Sequence, residues 1–196
     1  HVWAMPVGGR EPRQFTFSAG NESSSRWSPD GRNILFLSNR PSEGDKKDEK
    51  KKKNQVFVMP AEGGEARQLT SLEEGAKNPA WSPDGRTILF LSQVFKGEKA
   101  NEESDVKIIR RMKYKFDERG FFEGKYSHLF TIPAKGGKAK QLTDGEYDVE
   151  NAAWSTDGKK IAFVANMDED ADMSFFKNIF AVPARGGDPE LIWKGE

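Results

Sequence analysis

The sequence predicts an all-β protein built as a partial β-propeller, with about three and a half four-stranded antiparallel blades. One observation is a sequence motif that recurs three times, as WSPDGRNILFLS at 27–38, WSPDGRTILFLS at 81–92 and WSTDGKKIAFVA at 154–165. The other is a second motif that alternates with the first. Its four copies are VWAMPVGGREPRQFT, VFVMPAEGGEARQLT, LFTIPAKGGKAKQLT and IFAVPARGGDPELI. Repetition at intervals of tens of residues is typical of solenoids and propellers.

Each repeat is predicted to hold four short strands rather than helices. Glycine and proline recur at intervals too short for helices of ten or more residues. The apolar runs are brief and rich in β-branched and aromatic residues, as strands are. The runs ILFLS and IAFVA are continuously apolar, which is expected of strands that are covered by sheets on both faces. Four antiparallel strands per repeat, stacked face to face, indicate propeller blades.

Two hairpin turns are expected in each repeat. In the segment Ser28-Pro29-Asp30-Gly31 the φ of proline suits the second turn position, and glycine tolerates the left-handed position that follows. The third copy replaces the proline with Thr156 but keeps Asp157-Gly158. The second hairpin is marked by the glycine pairs at 63–64, 136–137 and 186–187.

Counting strands places the start of the chain within a blade. Residues 1–26 are predicted to end one blade and to link it to the next, and the following blades are expected over 27–70, 81–143 and 154–193. Each of these blades begins with a tryptophan that is predicted to pack between blades, because a buried indole is chiefly packing area. The chain begins with His1 rather than Met, so it is expected to be part of a longer protein that supplies the remaining blades.

Composition argues against several classes of function. The 196 residues carry 31 basic and 31 acidic side chains, a balance that does not favour a nucleic-acid-binding face. The apolar runs at 34–37 and 88–91 are too short to span a membrane. The absence of cysteine rules out disulfides and thiolate chemistry and favours the cytoplasm as the location.

The insertion at 93–127, which lengthens the middle blade, carries the candidate substrate-facing residues. Its segment VKIIRRMKYKF alternates as a strand does and precedes a turn at 117–120, so an extended hairpin is predicted. Arg110 lies on the apolar face of that strand, where an unpaired charge is costly. Pairing with a carboxylate or extension of the side chain to water would explain it. The alternative is that Arg110 or Arg111 binds a peptide carboxylate or an acyl oxygen through its guanidinium group.

The motifs W-S-P-D-G-(R/K)-x-I-(L/A)-F and (V/L/I)-F-x-(M/I/V)-P-(A/V)-x-G-G resemble the TolB-type propeller repeats. Such repeats also form the non-catalytic domain of prolyl-oligopeptidase-family serine peptidases. The segments VKIIRRMKYKFDERGFFEGKYSHLFTIPAKGG (106–137) and QLTDGEYDVENAAWSTDG (141–158) narrow the resemblance to the acylaminoacyl-peptidase branch.

The resemblance implies a parent enzyme in which an α/β-hydrolase domain follows the propeller and removes residues, often acylated ones, from the N-termini of short peptides. The propeller would gate the active site and select short peptides, and its partners would be the hydrolase domain and the remaining blades. The alternative is a TolB-type scaffold for protein interactions in the periplasm or envelope. The basic hairpin at 106–127 favours the peptidase.

No catalytic residue is assigned to this chain. The nucleophile motif G-x-S-x-G does not occur in the 196 residues; around Ser18, Thr16 stands in place of the first glycine. The histidines are His1 and His128, and a triad needs a histidine between nucleophile and acid. His128 is instead predicted to be a side chain at the start of a strand.

Two charged segments have simple explanations. The run EGDKKDEKKKK at 43–53 has no aromatic side chain to stack on bases, so a solvated loop is expected. The segment MDEDAD at 167–172 alternates as a calcium loop does, but Met173 and Ile179 stand where that loop needs glycine and glutamate. A polar hairpin tip is therefore expected, with neither a metal nor a cofactor.

A partial ring leaves blade faces uncovered at both ends. The first strand, VWAMPV, and the last, ELIW, are predicted to bind other chains through their uncovered surface. The chain is therefore expected to self-associate unless the missing blades are present.

Overall fold

The computed structural model describes residues 1–41, 53–96, 112–113, 115–116, 120–121 and 124–195. These ranges contain strands and no helix, and they hold no apolar helix long enough to cross a membrane. The strands are β1 (Trp3–Ala4), β2 (Arg13–Gln14), β3 (Glu22–Trp27), β4 (Asn33–Ser38), β5 (Gln55–Pro60), β6 (Arg67–Gln68), β7 (Lys77–Trp81), β8 (Thr87–Phe95), β9 (Lys115–Phe116), β10 (Gly120–Phe121), β11 (Lys125–Pro133), β12 (Lys140–Gln141), β13 (Ala152–Trp154), β14 (Lys160–Ala165), β15 (Asn178–Pro183) and β16 (Glu190–Trp193).

Three antiparallel sheets of four strands form the blades, as predicted. Blade 1 has the order β3-β4-β5-β6, blade 2 the order β7-β8-β11-β12, and blade 3 the order β13-β14-β15-β16. Strands β1 and β2 pair with each other and form a half-blade that precedes blade 1. Strands β9 and β10 form a separate two-stranded ladder within the insertion. The described sheets are therefore those of a partial β-propeller.

The hairpin between the first two strands of a blade is held by a serine hydroxyl. The backbone amide of Asn33 donates to Ser28 Oγ at 2.9 Å, and Ser28 Oγ donates to Asp30 Oδ1 at 2.6 Å. Gly31 closes the turn with a φ of 70°, which a residue with a Cβ rarely adopts. The same bonds recur around Ser82 and Ser155, so the repeated phrase encodes a repeated turn.

Alternate side chains of one strand fill the layers on its two sides. Leu35 and Leu37 of β4 pack between blades 1 and 2, whereas Ile34 and Phe36 pack against the half-blade. Successive strand side chains point to opposite faces of a sheet. This explains why β4 and β8 are continuously apolar: each lies between two neighbouring sheets.

The tryptophan at the start of each blade is buried only where a preceding blade covers it. Trp81 and Trp154 are half-buried and pack against the cores between blades, and Trp81 Nε1 donates to the carbonyl of Arg26 at 3.3 Å. The prediction was wrong for Trp27, which is 54% exposed. The half-blade contributes only two strands, which leave the Trp27 side of blade 1 uncovered.

A basic side chain joins each blade to the next at the glycine-pair turn. Arg67 of β6 donates to the carbonyls of Lys135 at 2.7 Å and Ala134 at 2.9 Å. Arg13 of β2 donates to the carbonyl of Glu62 at 3.4 Å. Lys140 of β12 makes the corresponding bond to the carbonyl of Arg185. The junctions between consecutive blades thus share one polar contact in addition to their apolar layers.

Candidate functional site

The topology brings the longest connections of the chain to one end of the blades, which we call the long-loop end. In each blade the second and third strands are joined there, by residues 39–54, 96–124 and 166–177. The links from each blade to the next lie at the same end, because the outermost strand runs in the same direction as the second strand. The short hairpin turns occupy the opposite end.

A carboxylate in the link between blades 1 and 2 holds the bases of two long connections. Glu74 Oε1 lies 2.7 Å from Lys125 Nζ, at the start of β11. Glu74 Oε2 lies 3.7 Å from Lys53 Nζ, just before β5. The hydrogen bond from Lys125, helped by both positive charges, lowers the pKa of Glu74 below its ordinary value. Glu74 is therefore ionised at neutral pH and joins two blades.

The first residue of the 96–124 connection is held in the same manner by the next link. Lys96, which directly follows β8, pairs with Asp144 in the segment between blades 2 and 3. The hydrogen bond from Lys96 lowers the pKa of Asp144. Carboxylates of the two links thus hold both ends of the insertion by ion pairs.

The insertion also contacts the neighbouring blade through Lys113. Its ammonium group donates to the carbonyls of Ala171 and Ser174 and lies 4.6 Å from the ring centroid of Phe175. The backbone amide of Met112 donates to Asp172 Oδ2 at 2.9 Å. Backbone oxygens and an aromatic face are both favourable surroundings for an ammonium ion. Blade 2 is therefore anchored on the 166–177 connection of blade 3.

This contact corrects the predicted strand over 106–116 at residues 112–113, whereas 106–111 and 114 lie outside the described residues. Met112 and Lys113 do not lie in a strand, and only Lys115–Phe116 of that segment is a described strand, paired with Gly120–Phe121. The amide of Met112 and the side chain of Lys113 bond to blade 3 instead. Residues 117–119 of the predicted turn lie outside the described residues, so that turn stays a prediction.

His128 is a buried structural side chain. The sequence predicted a position at the start of a strand, and this prediction was wrong. Strand β11 begins three residues earlier, and the side chain is fully buried. Nε2 lies 3.1 Å from the carbonyl of Gly145, which can only accept, so Nε2 carries the proton. Nδ1 accepts from the Thr143 hydroxyl at 3.2 Å. Burial lowers the pKa of His128, although the Gly145 bond opposes this.

An open pocket of about 610 Å³ lies at the long-loop end of blade 3. It is lined by acidic side chains of the 166–177 connection, by Phe176 and by Lys194. Asp168 is partly engaged by Asn178 Nδ2, at 3.3 Å from its Oδ2. Within the described ranges no three His, Asp or Glu side chains are grouped as a metal site.

Two of the sequence-based site residues lie outside the described residues. Arg110 and Arg111 belong to this part of the insertion, so their substrate-facing role stays a prediction. The charged run at 43–53 also falls there, except for Lys53. Sequence reasoning missed the contacts of Glu74 and Lys113, because their partners are distant in sequence and include backbone carbonyls.

Comparison with known proteins gives one family. Residues 36–196 match the model of the acylaminoacyl-peptidase N-terminal β-propeller domain. A curated relative, the uncharacterized peptidase YuxL of Bacillus subtilis (strain 168), is 36% identical over 180 residues. That match covers 88% of this chain and 26% of the relative, so the chain spans about a quarter of the length of that protein.

Solved structures support the fold. The acylaminoacyl peptidase of Pyrococcus horikoshii superposes with a TM-score of 0.63 at 19% identity, covering 88% of this chain and 25% of that one. A putative TolB from Agrobacterium tumefaciens superposes with a TM-score of 0.59 at 20% identity, covering 99% of this chain and 57% of that one. At these identities the likeness is one of architecture.

Proposed function

The chain belongs to the family of acylaminoacyl-peptidase N-terminal β-propeller domains, and on that premise we propose that it gates and selects short peptide substrates for a separate α/β-hydrolase domain. The hydrolase domain supplies the bond chemistry, and the propeller excludes wide substrates and positions narrow ones. Fold alone does not define a function, so the proposal depends on features of the long-loop end.

The anchoring of the insertion on the next blade is the observation that carries this proposal. Lys113 and Met112 bind the 166–177 connection, and the ends of the insertion are held by Glu74 and Asp144. A segment fixed at several points can present side chains at a constant position relative to a neighbouring domain. The long-loop end is accordingly proposed to face the hydrolase domain.

Within this arrangement Arg110 or Arg111 would bind the substrate. Both lie within the segment 106–116 of the insertion and precede Lys113 by three and two residues, respectively. A guanidinium group can donate two parallel hydrogen bonds to a carboxylate or one to an acyl oxygen. The chain's contribution would therefore be to bind and orient a short peptide, without forming or breaking a bond.

The buried His128 is not placed to act as a general base. Both ring nitrogens of His128 are engaged, by Thr143 and by Gly145. A general base needs a free nitrogen within hydrogen-bond reach of its nucleophile. We therefore expect the isolated chain to hydrolyse neither acyl-amino-acid nor peptidyl chromogenic substrates. Turnover that a serine-directed inhibitor blocks would contradict this expectation.

The selecting role is tested in a polypeptide that carries both this propeller and the hydrolase domain. Arg110→Ala is expected to raise KM for short acyl-peptides about tenfold, the loss of one charged hydrogen bond, while kcat changes little. Arg110→Lys keeps the positive charge but cannot donate two parallel hydrogen bonds, so its KM should be intermediate. A small ester that lacks a carboxylate is the control substrate and should be unaffected. Unchanged kinetics for both Arg110→Ala and Arg111→Ala on several peptides would contradict the proposed role.

A TolB-type scaffold for protein interactions is the second candidate. The TolB structure matches 99% of this chain, which favours it at the level of fold. Such a scaffold would work in the periplasm or envelope, whereas the peptidase is expected in the cytoplasm. Cell fractionation with an antibody to the chain distinguishes them, as does the presence or absence of serine-hydrolase activity in the same polypeptide.

A further inference from the structure

The third strand of each blade carries a polar side chain five residues before its final proline. This residue is Gln55 in blade 1, His128 in blade 2 and Asn178 in blade 3. We propose that His128 acts as a pH switch, which holds the link between blades 2 and 3 while its imidazole is neutral and releases that link when it is protonated. This inference does not depend on the proposed function.

Gln55 shows what this position has to provide. Its Oε1 accepts from the Thr70 hydroxyl at 2.8 Å and from the Leu72 amide at 3.0 Å, and its Nε2 donates to the Leu72 carbonyl at 2.8 Å. Thr70 Oγ1 in turn accepts from the backbone amide of Val56 at 2.9 Å. The position therefore needs an acceptor for a threonine proton and a donor for a backbone carbonyl. Both partners lie in the link between blades 1 and 2, residues 69–76, which we call the first link.

A neutral imidazole meets the same two requirements in blade 2. Nδ1 of His128 accepts from the Thr143 hydroxyl at 3.2 Å, and Nε2 donates to the Gly145 carbonyl at 3.1 Å. Thr143 Oγ1 accepts from the backbone amide of Leu129 at 3.0 Å, the same bond as in blade 1. These partners lie in the second link, residues 142–151. A neutral imidazole has one donor and one acceptor, but an imidazolium has two donors. His128 can therefore replace the amide only while it is unprotonated.

Protonation of the ring removes the bond to the second link. The N–H at Nδ1 and the Thr143 hydroxyl then face each other as two donors, so the hydroxyl has to turn its proton away from the ring. The His128 side chain is fully buried, and a buried charge that keeps only one hydrogen bond is costly. Opening of the second link avoids this cost, because water then accepts from both ring nitrogens.

Charged groups around the ring determine the pH at which the switch acts. Burial lowers the pKa of His128; the hydrogen bond from Nε2 and the charges of Asp144 and Asp148 oppose this shift, and the charge of Lys96 adds to it. Tyr147 faces the ring edge-on at 5.4 Å, and burial raises the pKa of its hydroxyl, so it stays neutral throughout. The second link is therefore held most firmly above about pH 7, and the free energy that keeps it closed falls as the pH decreases from about 6.5 towards the folded pKa.

Release of the second link also loosens one end of the 96–124 connection. Asp144 of this link pairs with Lys96, the first residue of that connection. A protonated His128 attracts Asp144 and repels Lys96, so it weakens their ion pair as well. The first end of the 96–124 connection is therefore held less firmly at acid pH than at neutral pH.

The test is hydrogen–deuterium exchange with mass spectrometry on the full-length protein that carries this chain. Exchange rates are corrected for the intrinsic pH dependence of amide exchange. Protection of the amides at 144–150 is expected to fall roughly three- to tenfold between about pH 7.5 and about pH 5, the effect of one hydrogen bond. The amides at 71–76 in the first link are the control within the same molecule and should keep their protection, because Gln55 does not titrate.

Reciprocal variants separate the switch from general acid destabilisation. His128→Gln places the amide of blade 1 in blade 2, so it should keep the protection of 144–150 at neutral pH and remove its pH dependence. Gln55→His is expected to transfer the pH dependence to residues 71–76. His1→Gln removes the other histidine of this chain and should leave the exchange of 144–150 as it is in the wild type.

Two results would overturn the proposal directly. One is a wild type in which 144–150 and 71–76 lose equal protection at acid pH, since this shows that the whole fold is destabilised. The other is a His128→Gln variant that retains the pH dependence of 144–150. If His128→Gln instead opens the second link at every pH, Gln55→His decides: a first link that gains no pH dependence in that variant overturns the proposal, and one that gains it supports the proposal.

Discussion

The guanidinium group of Arg67 donates to the backbone carbonyl of Lys135 across a blade junction, at 2.7 Å. A second bond runs from Arg67 to the carbonyl of Ala134 at 2.9 Å. Arg67 and Lys135 are 68 positions apart in sequence. The contact thus holds together two sheets that do not share a hydrogen-bonded strand pair, and it does so at the end opposite to the candidate site.

Removal of this contact is expected to loosen the junction. Arg67→Ala should lower the free energy of unfolding by about 1 kcal/mol, because exposed hydrogen bonds from a charged donor contribute little more. That corresponds to a fall in Tm of about 3 °C for a domain of this size. Thermal denaturation followed by circular dichroism measures it. Lys138→Ala, an exposed cation next to the same kind of turn, is the control, and an equal shift in that variant would contradict a specific contact.

Loss of the Glu74 carboxylate should weaken the base of the insertion. Glu74→Gln is expected to lower the free energy of unfolding at pH 7 by roughly 0.5–1.5 kcal/mol, since two ion pairs are lost and Lys53 is half exposed. High salt should reduce the difference. Glu73→Gln, at the exposed neighbouring position, is the matched control. A Tm that falls equally in both variants would show that the two ion pairs do not contribute.

The same residue gives a prediction for acid. The pKa of Glu74 is lower in the folded chain than its ordinary value, so the unfolded state binds more protons as the pH falls. Its contribution to stability is complete above the unfolded pKa, near 4.3, and is lost as the pH falls through the folded pKa. Urea denaturation of the wild type and of Glu74→Gln should therefore differ at pH 7, and the difference should shrink as the pH falls below the unfolded pKa. A constant difference would contradict the assignment.

His128 predicts a separate pH dependence at higher pH. Burial lowers its pKa, so the unfolded chain takes up a proton first as the pH falls below about 6.5. Stability should therefore fall between about pH 7.5 and pH 5.5, by up to about 1.4 kcal/mol from this group. Urea midpoints across that range measure the slope. His128→Phe cannot titrate and should be less stable but with a flatter slope, and an unchanged slope would contradict the role of His128.

The Lys113 anchor predicts a local change in dynamics. Lys113→Met keeps the length of the side chain but cannot bond to the carbonyls of Ala171 and Ser174. The amides of residues 168–176 should then exchange with deuterium several-fold faster, because local opening no longer breaks those bonds. Lys159→Met, on the opposite end of blade 3, should leave exchange in that segment unchanged. Identical exchange in both variants would remove the anchor as the basis for positioning the insertion.

The periodic features could be predicted from the sequence because their causes are local. Ser28, Asp30 and Gly31 form their turn with one another, so the motif that contains them encodes the same turn wherever it recurs. The apolar strands Ile34–Leu37 and Ile88–Leu91 had to be covered on both faces, which indicated stacked sheets. The role of Trp27 could not be predicted in this way, because its burial depends on strands that the half-blade does not supply.

The site was predictable only in part, for a related reason. The insertion at 93–127 was identified from its length and its alternation, yet its anchor at Lys113 depends on carbonyls of Ala171 and Ser174. Any residue has a backbone carbonyl, so no letter of the sequence marks these as partners. His128 was likewise misplaced at a strand end, since its burial follows from the ring of Tyr147 and from the link that carries Thr143 and Gly145.

The four strands of a blade, its two turns and its apolar faces could be read from the residues alone, because they depend on neighbours within about fifty positions. The fold was needed to show which of the equivalent positions are covered, which end carries the long connections and where a carboxylate meets a lysine of another blade. Hydrogen bonding along a hairpin is local, whereas burial and ion pairing depend on the surface that a distant part of the chain presents.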